Sequence, residues 1–203
     1  MPAARLLAAA LVLPLLLAAC QDGVRSWPVR VSPSYRPQTF HAFAGGRDMP
    51  VAIHGNPFAL DKAVWERTVT QAMQGRHWGP ETNFTPTPDP AAAARYGLHV
   101  VIAFDGAFVQ NPTAMCGGSV VPQGGGAPAP RPGLLVQAVY CIGGSDQTFY
   151  EGQIEGLTGP ADPRLAEFIG RMTYQLFPPR NPDCDDSEVV EGSGGLRRRI
   201  GRC

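Results

Sequence analysis

Glycine and proline are unevenly distributed along this 203-residue chain, and their distribution limits where a folded domain can form. The 24 glycines and 21 prolines make up about a fifth of the sequence, against a usual share of roughly 12%. They are concentrated in residues 21 to 37, in residues 117 to 133, and in a polar stretch from Pro178 to Cys203. The remainder, about 140 residues, is enough for one domain with a modest core.

The first twenty residues have the pattern of an export signal. Arg5 precedes an apolar segment from Leu6 to Leu17, and the order Leu17-Ala18-Ala19-Cys20 places small residues before a cysteine. This arrangement is typical of a secretory signal peptide. With cysteine at the cleavage position, the segment resembles the lipobox of bacterial lipoproteins. The resemblance implies diacylglyceryl transfer to the Cys20 thiol, cleavage before Cys20, and acylation of the new amino terminus.

The resemblance also implies a location. Stable anchoring needs more than one acyl chain, and the family carries three. In that family Asp directly after the cysteine is an inner-membrane signal, whereas this chain has Gln21. We therefore expect the periplasmic side of the outer membrane, with the inner membrane as the alternative. Secretion with an unmodified Cys20 also stays open, whereas the apolar segment is too short for a transmembrane helix, which needs about 20 residues.

These patterns together predict the domain organisation. We expect a signal peptide over residues 1–19, a Pro/Ser-rich tether over 20–37, one α+β domain over 38–179, and a flexible polar tail over 180–203. As a flexible coil, the tether would reach about 20 to 25 Å from the membrane.

Charge argues against nucleic-acid and nucleotide partners. The chain has 17 basic and 17 acidic residues, so no basic excess attracts a polyanion. Lys62 is the only lysine, and no phosphate-binding glycine-rich motif surrounds it. The sequence indicates no cofactor.

The first part of the predicted domain has a strand followed by a helix. Pro50 to His54 is a short apolar run that predicts a strand. Asn56-Pro57 combines a preferred helix cap with proline at the first helical position, so we expect a helix from Phe58 to Gln74, ended by Gly75. A weaker strand is conceivable from Thr39 to Ala44.

Three alternating segments and a second helix follow. The strands are predicted over residues 97–108, 134–141 and 148–156, as an antiparallel meander. Asp162-Pro163 then begins a helix whose apolar stripe ends before Pro178-Pro179. The resulting β-α-β-β-β-α order predicts an α+β two-layer sandwich with both helices on one sheet face. We expect the other face, which carries His99, Asp105, Gln137, Glu151 and Gln153, to be open to solvent or to a partner.

The cysteines predict disulfides. With Cys20 acylated, four cysteines remain in an oxidising compartment, and they allow three pairings. We favour Cys116 with Cys141 and Cys184 with Cys203. In a simple hairpin Cys141 lies at the end remote from the loop, so Cys116 must fold back to reach it. A metal site is disfavoured because the sequence has no C-x-x-C motif and no histidine pair with ligand spacing.

Two segments are candidates for ligand binding. His54 and Asn56 would lie at a helix amino terminus, which attracts anions, although both residues can equally be structural. Arg76-His77-Trp78 directly follows the first helix, and Arg and Trp are enriched at binding hot spots. Trp78 can alternatively fold over the helix end as a lid.

No motif identifies a reaction. The first hypothesis is therefore a non-enzymatic lipid-anchored module that binds an envelope protein or a cell-wall component. The alternative is an envelope hydrolase or transferase in which His54 or His99 acts with Asp105 or Ser145. Because general-base catalysis requires hydrogen-bond reach, the enzyme hypothesis requires these side chains to gather in one pocket.

Overall fold

The computed structural model describes residues 23–104, 110–120 and 133–182, and the backbone of residues 188–191 and 197–200. The lipobox with Cys20, and also Asp105, Cys184 and Cys203, lie outside the described residues. Within those ranges, no helix has the length and apolar character required to cross a bilayer.

The described chain is a mixed α/β fold with four helices and nine strands. The helices are α1 (Pro37–Ala44), α2 (Lys62–Met73), α3 (Pro112–Cys116) and α4 (Pro163–Leu176). The strands are β1 (Val24–Ser26), β2 (Arg30–Val31), β3 (Asp48–His54), β4 (Asn83–Thr85), β5 (Leu98–Phe104), β6 (Leu134–Ile142), β7 (Ser145–Ile154), β8 (Glu188–Glu191) and β9 (Arg197–Ile200). Strands β8 and β9 form a separate antiparallel pair.

Seven strands form one sheet in the order β1-β7-β6-β5-β3-β4, with β2 also paired to β7. The predicted meander is present, because β5, β6 and β7 are consecutive antiparallel neighbours. Strand β3 runs parallel to β5, and β4 runs parallel to β3. The sheet is therefore mixed.

The main core lies between this sheet and three helices. Alternation along β5 places Leu98, Val100 and Ile102 in that core, whereas Val101 and Ala103 belong to a smaller cluster on the other face. Helix α4 has the predicted limits, because Asp162 accepts a hydrogen bond from the Arg164 amide and Pro163 follows. Its five predicted stripe residues are all buried: Leu165, Phe168, Ile169, Met172 and Leu176.

Helix α2 begins later than predicted. Its cap is Asp61, which accepts hydrogen bonds from the amides of Ala63 and Val64. Asn56 instead closes a turn, since its side chain donates to the Leu60 carbonyl at 2.6 Å and accepts from the Leu60 amide. Asn56 and Asp61 are both residue types that are favoured as helix caps. The helix begins after Asp61, which lies nearer to the apolar positions of α2.

The second sheet face is not open as predicted. Helix α3 packs on it, and the Cys116–Cys141 disulfide joins α3 to β6 with a Cα–Cα distance of 5.6 Å. The chain therefore folds back over the sheet, as the pairing required. Gln137 is buried there and donates to Glu151, whereas His99, Glu151 and Gln153 are half-buried.

The amino-terminal region also differs from the prediction. Strands β1 and β2 pair with β7, so part of the segment expected to be a tether lies at the sheet edge. Residues 39–44 belong to α1 rather than to a weak strand. Pro37 occupies the first turn of this helix, and Phe40 and Ala44 are buried at a helical spacing of four.

Candidate functional site

A groove of about 460 Å³ lies between the carboxyl end of α2 and the outer surface of α4. Arg76 and His77 line one side, and Glu167, Arg171 and Tyr174 line the other. We call this feature the α2–α4 groove. It includes two of the three residues in the Arg76-His77-Trp78 segment.

Local hydrogen bonds fix the segment that forms the first side of the groove. Gln74 follows α2, and its side chain donates to the Phe84 carbonyl at 2.7 Å and accepts from the Phe84 amide. The helix end is therefore attached to β4. Gly75 then turns the chain with a φ of +64°, as its position after the helix predicted.

Gly170 allows the Arg76 side chain to lie close to the surface of α4 at the groove. A Cβ atom at this position would lie 3.2 Å from the Arg76 Cδ atom, so the Arg76 stem lies across a helix surface without a side chain. The Arg76 side chain is exposed, and its guanidinium forms no hydrogen bond or ion pair with a described residue.

Glu167 is the carboxylate of the groove, and it is paired within its own helix. Arg171 donates a hydrogen bond to it one turn along α4. This hydrogen bond and the Arg171 charge, together with the charge of Arg76, lower the pKa of Glu167. Glu167 therefore remains an anion balanced by Arg171, and the groove has a net positive charge from Arg76.

His77 has a structural position. Its Nε2 donates to the Pro80 carbonyl at 2.8 Å, and its ring packs edge-on against Phe40 and Phe84. The Nδ1 atom is buried and has no hydrogen-bond partner among the described residues. His77 therefore holds the segment on the core, which leaves Arg76 and Trp78 as its exposed members.

Trp78 is 42% exposed and packs against the His41 ring, with 4.5 Å between ring centroids. The His41 Nε2 atom is buried against Gly79, where a Cβ atom would lie only 2.5 Å away. Burial, and then the charge of His77, lower the pKa of His41. The His41 ring thus packs against the Trp78 ring, and the exposed part of the indole faces solvent.

His54 and Asn56 lie elsewhere. Both precede α2, whereas Arg76 follows it, and a helix of twelve residues is about 18 Å long. The prediction that a helix begins after Asn56 is wrong, because α2 begins at Lys62. His54 is exposed, and partial burial followed by the Lys62 charge lowers its pKa.

The residues of the enzyme hypothesis are not brought together where the structure describes them. His54 pairs with Ala103, four residues beyond His99 on β5, which separates the two histidines by about 13 Å. His99 Nδ1 donates to the Gly97 carbonyl, and Ser145 Oγ accepts from Gln147. No described group of three or more His, Cys, Asp or Glu side chains could hold a metal ion.

The sequence did not identify Tyr174 and Gly170 as parts of the site. Tyr174 is 55% exposed on α4, outside the apolar stripe. The signal available in the sequence was an aromatic residue on the polar face of the predicted helix. Gly170 lies within the stripe, where glycine destabilises a helix, so its presence indicated close packing.

Comparisons with known proteins do not assign the site. The chain has no significant match among protein-family models, curated proteins or solved structures.

Proposed function

We propose that this protein is a lipid-anchored module on the periplasmic side of the outer membrane, and that it binds a protein partner through the α2–α4 groove. The observation that carries the binding proposal is the exposure of Arg76 and Tyr174 in one groove, with the exposed Trp78 two residues after Arg76 in the chain. These are the three residue types most enriched at binding hot spots.

Charge indicates the chemistry of the partner segment. Arg76 has no described ionic partner, whereas Glu167 is already paired with Arg171. A carboxylate on the partner would complete a pair with Arg76, and its apolar or aromatic neighbours would cover Trp78 and Tyr174. We therefore propose an acidic protein segment as the occupant of the groove.

The binding proposal is tested by photocrosslinking in intact cells. A photoreactive residue at position 174 should give a discrete crosslinked partner, and Arg76→Gln in the same chain should reduce its yield. Lys62 is exposed at the other end of α2 and is the matched control position. Equal crosslinking from positions 62 and 174, or none from position 174, would refute the proposal.

The anchor is tested separately by metabolic labelling with a fatty acid. The wild-type chain should incorporate the label and sediment with membranes, whereas Cys20→Ser should lose both properties. Label retained in Cys20→Ser would refute acylation at this residue.

A further inference from the structure

We infer that the sheet edge formed by β1 and β2 docks on the membrane, with Trp27 and the flanking Arg25 and Arg30 at anionic phospholipid headgroups. This inference rests on the proposed anchor at Cys20, and it adds the orientation of the domain relative to the bilayer.

The distance available to the anchor supports contact. Pairing of β1 with β7 begins at Val24, so only residues 21–23, or four Cα–Cα steps, connect the sheet to Cys20. Even fully extended, they span at most about 14 Å. A domain of this size has a diameter of about 40 Å, so a connection this short keeps the β1 edge beside the bilayer. The chain cannot be held at the 20 to 25 Å that a free tether would allow.

The exposed residues of this edge suit an interface. Trp27 is 44% exposed, although its amide is fixed by donating to the Glu151 carbonyl at 3.0 Å. Tryptophan is enriched where the hydrocarbon of a bilayer meets water, because its ring is apolar and its N–H is polar. A rigid backbone that presents a solvent-exposed indole near the anchor is therefore suited to headgroup contact.

The charge of the edge matches anionic headgroups. Arg25 and Arg30 are exposed, and neither forms an ion pair with a described carboxylate. Arg30 lies over the Phe149 ring, with its Cζ 4.4 Å from the centroid. Residues 23–47 contain four arginines and no acidic residue.

The nearest acidic residues do not cancel this charge. Glu151 and Glu155 on β7 and its extension are half-buried, and Glu151 accepts a hydrogen bond from Gln137. Asp22 is the one acidic residue between the anchor and the sheet. Glu167 lines a small pocket with Val24, and it is paired with Arg171. The exposed groups at the edge are thus mainly guanidiniums, which bind phosphate with two parallel hydrogen bonds.

The two sheet sides separate this contact from the α2–α4 groove. Arg25 pairs with Gln153 and Arg30 with Phe149, and these β7 residues face the same side as α3. Helices α2 and α4 cover the opposite side. Edge-on docking therefore directs Arg25 and Arg30 away from the side that carries the groove. Glu167 and Arg171 of the groove also line a small pocket with Val24, so the groove borders the β1 edge on the helix side.

The test is tryptophan quenching by brominated phospholipid in vesicles that contain phosphatidylglycerol and the full-length acylated protein. The chain has three tryptophans, and Trp65 is buried in the core. Trp27→Phe should abolish most of the quenching, whereas Trp78→Phe should preserve it. Quenching that persists in Trp27→Phe, or that disappears in Trp78→Phe, would overturn the inference.

Charge is tested in the same vesicles. Arg25→Gln with Arg30→Gln should shift the equilibrium from docked to undocked by about fivefold per arginine, and added salt should have a similar effect. Arg67 and Arg95 are exposed and distant in sequence from the edge, so their double Gln variant is the matched control. An equal loss in both double variants would contradict a specific contact at the β1 edge.

Vesicle flotation separates the two proposals. A protein that does not float with the vesicles refutes the anchor, and the docking inference with it. A protein that floats but shows no quenching of Trp27 refutes the docking inference alone.

Discussion

At position 79 the chain has no room for a side chain. The backbone of Gly79 has a φ of +114°, and the His41 ring occupies the space into which a Cβ atom would project. Because the same ring supports Trp78, the orientation of this exposed indole depends on a glycine beside it.

Replacement of this glycine should therefore change both stability and the surface. We expect Gly79→Ala to lower the free energy of unfolding by more than Gly46→Ala does. Gly46 also has a positive φ, but a Cβ atom there meets nothing within 4 Å, so its cost should be only about 1 to 2 kcal/mol. Urea unfolding measures the free energy of unfolding of both variants. Equal losses of stability would contradict a clash between the new Cβ atom and the His41 ring.

At Gly170 we expect an alanine substitution to be tolerated, unlike at Gly79. Alanine is favoured over glycine in a helix by about 1 kcal/mol, and the exposed Arg76 side chain can move away from a new Cβ atom. Gly170→Ala should therefore leave the protein as stable or slightly more stable, while it reduces crosslinking from position 174. A marked loss of stability would show that Arg76 is held rigidly.

The sequence singles out residues where the signal is local. Arg76 and Trp78 are residue types enriched at binding hot spots, and both are exposed, whereas their role in binding stays a prediction. His41 gave no signal because its contact with Trp78 joins segments far apart in the sequence. Tyr174 lies on the polar face of α4, outside the apolar stripe that predicts the buried residues of this helix.

At the scale of elements, the start of α4 combines a helix cap with an ion pair. The Asp162 carboxylate accepts hydrogen bonds from Thr158 and from Arg164, whose guanidinium also forms an ion pair with it at 2.7 Å. The Arg164 hydrogen bond is the main cause that lowers the pKa of Asp162.

This pair predicts a pH dependence. Asparagine at position 162 can still cap the helix but cannot pair with Arg164, so Asp162→Asn should be less stable than wild type at pH 7. Because the pKa is lowered on folding, the contribution is present above the unfolded pKa of about 4 and is lost as the pH falls through the folded pKa. The difference should therefore shrink at pH 3.

Unfolding in urea at pH 7, 5 and 3 measures this effect. Asp61→Asn at the start of α2 is the matched control, because Asp61 caps a helix without a described ion pair. A difference for Asp162→Asn that does not change with pH would contradict the pairing.

The disulfide attaches a helix too short to be stable alone. Helix α3 has five residues, and the Cys116–Cys141 bond closes a loop of 25 residues. Replacing both cysteines by alanine should lower the free energy of unfolding by about 3.5 kcal/mol and should increase amide exchange in α3. Reductant should destabilise the wild type more than the double variant, which keeps only the predicted Cys184–Cys203 pair, and equal effects on both would contradict the expected stabilisation.

Element prediction succeeded for α4, where one cap, the proline after it and the apolar stripe all indicate the same start. Two competing caps misplaced the start of α2, and helices α1 and α3 were missed because each buries only two or three residues. Strands of two or three residues, such as β1 and β2, are too short to show periodicity.

At the scale of the whole molecule, β1 and β2 cover the outer edge of β7. Without them, the amides and carbonyls of β7 would be available for pairing with another chain. A chain beginning at Ser32 should therefore unfold at a lower temperature and self-associate, compared with one beginning at Gly23. Thermal unfolding and light scattering test this, and two equally stable monomers would show that the edge needs no cover.

The same pairing has a consequence for the order of assembly. Val24 is among the first residues of the described domain to be synthesised, yet its partner Ile154 follows almost the whole sheet. Such distant contacts close late in folding because a long loop must first be ordered. Under the proposed anchoring, enzymes that attach lipid to Cys20 would therefore act before the edge strands are incorporated into the sheet.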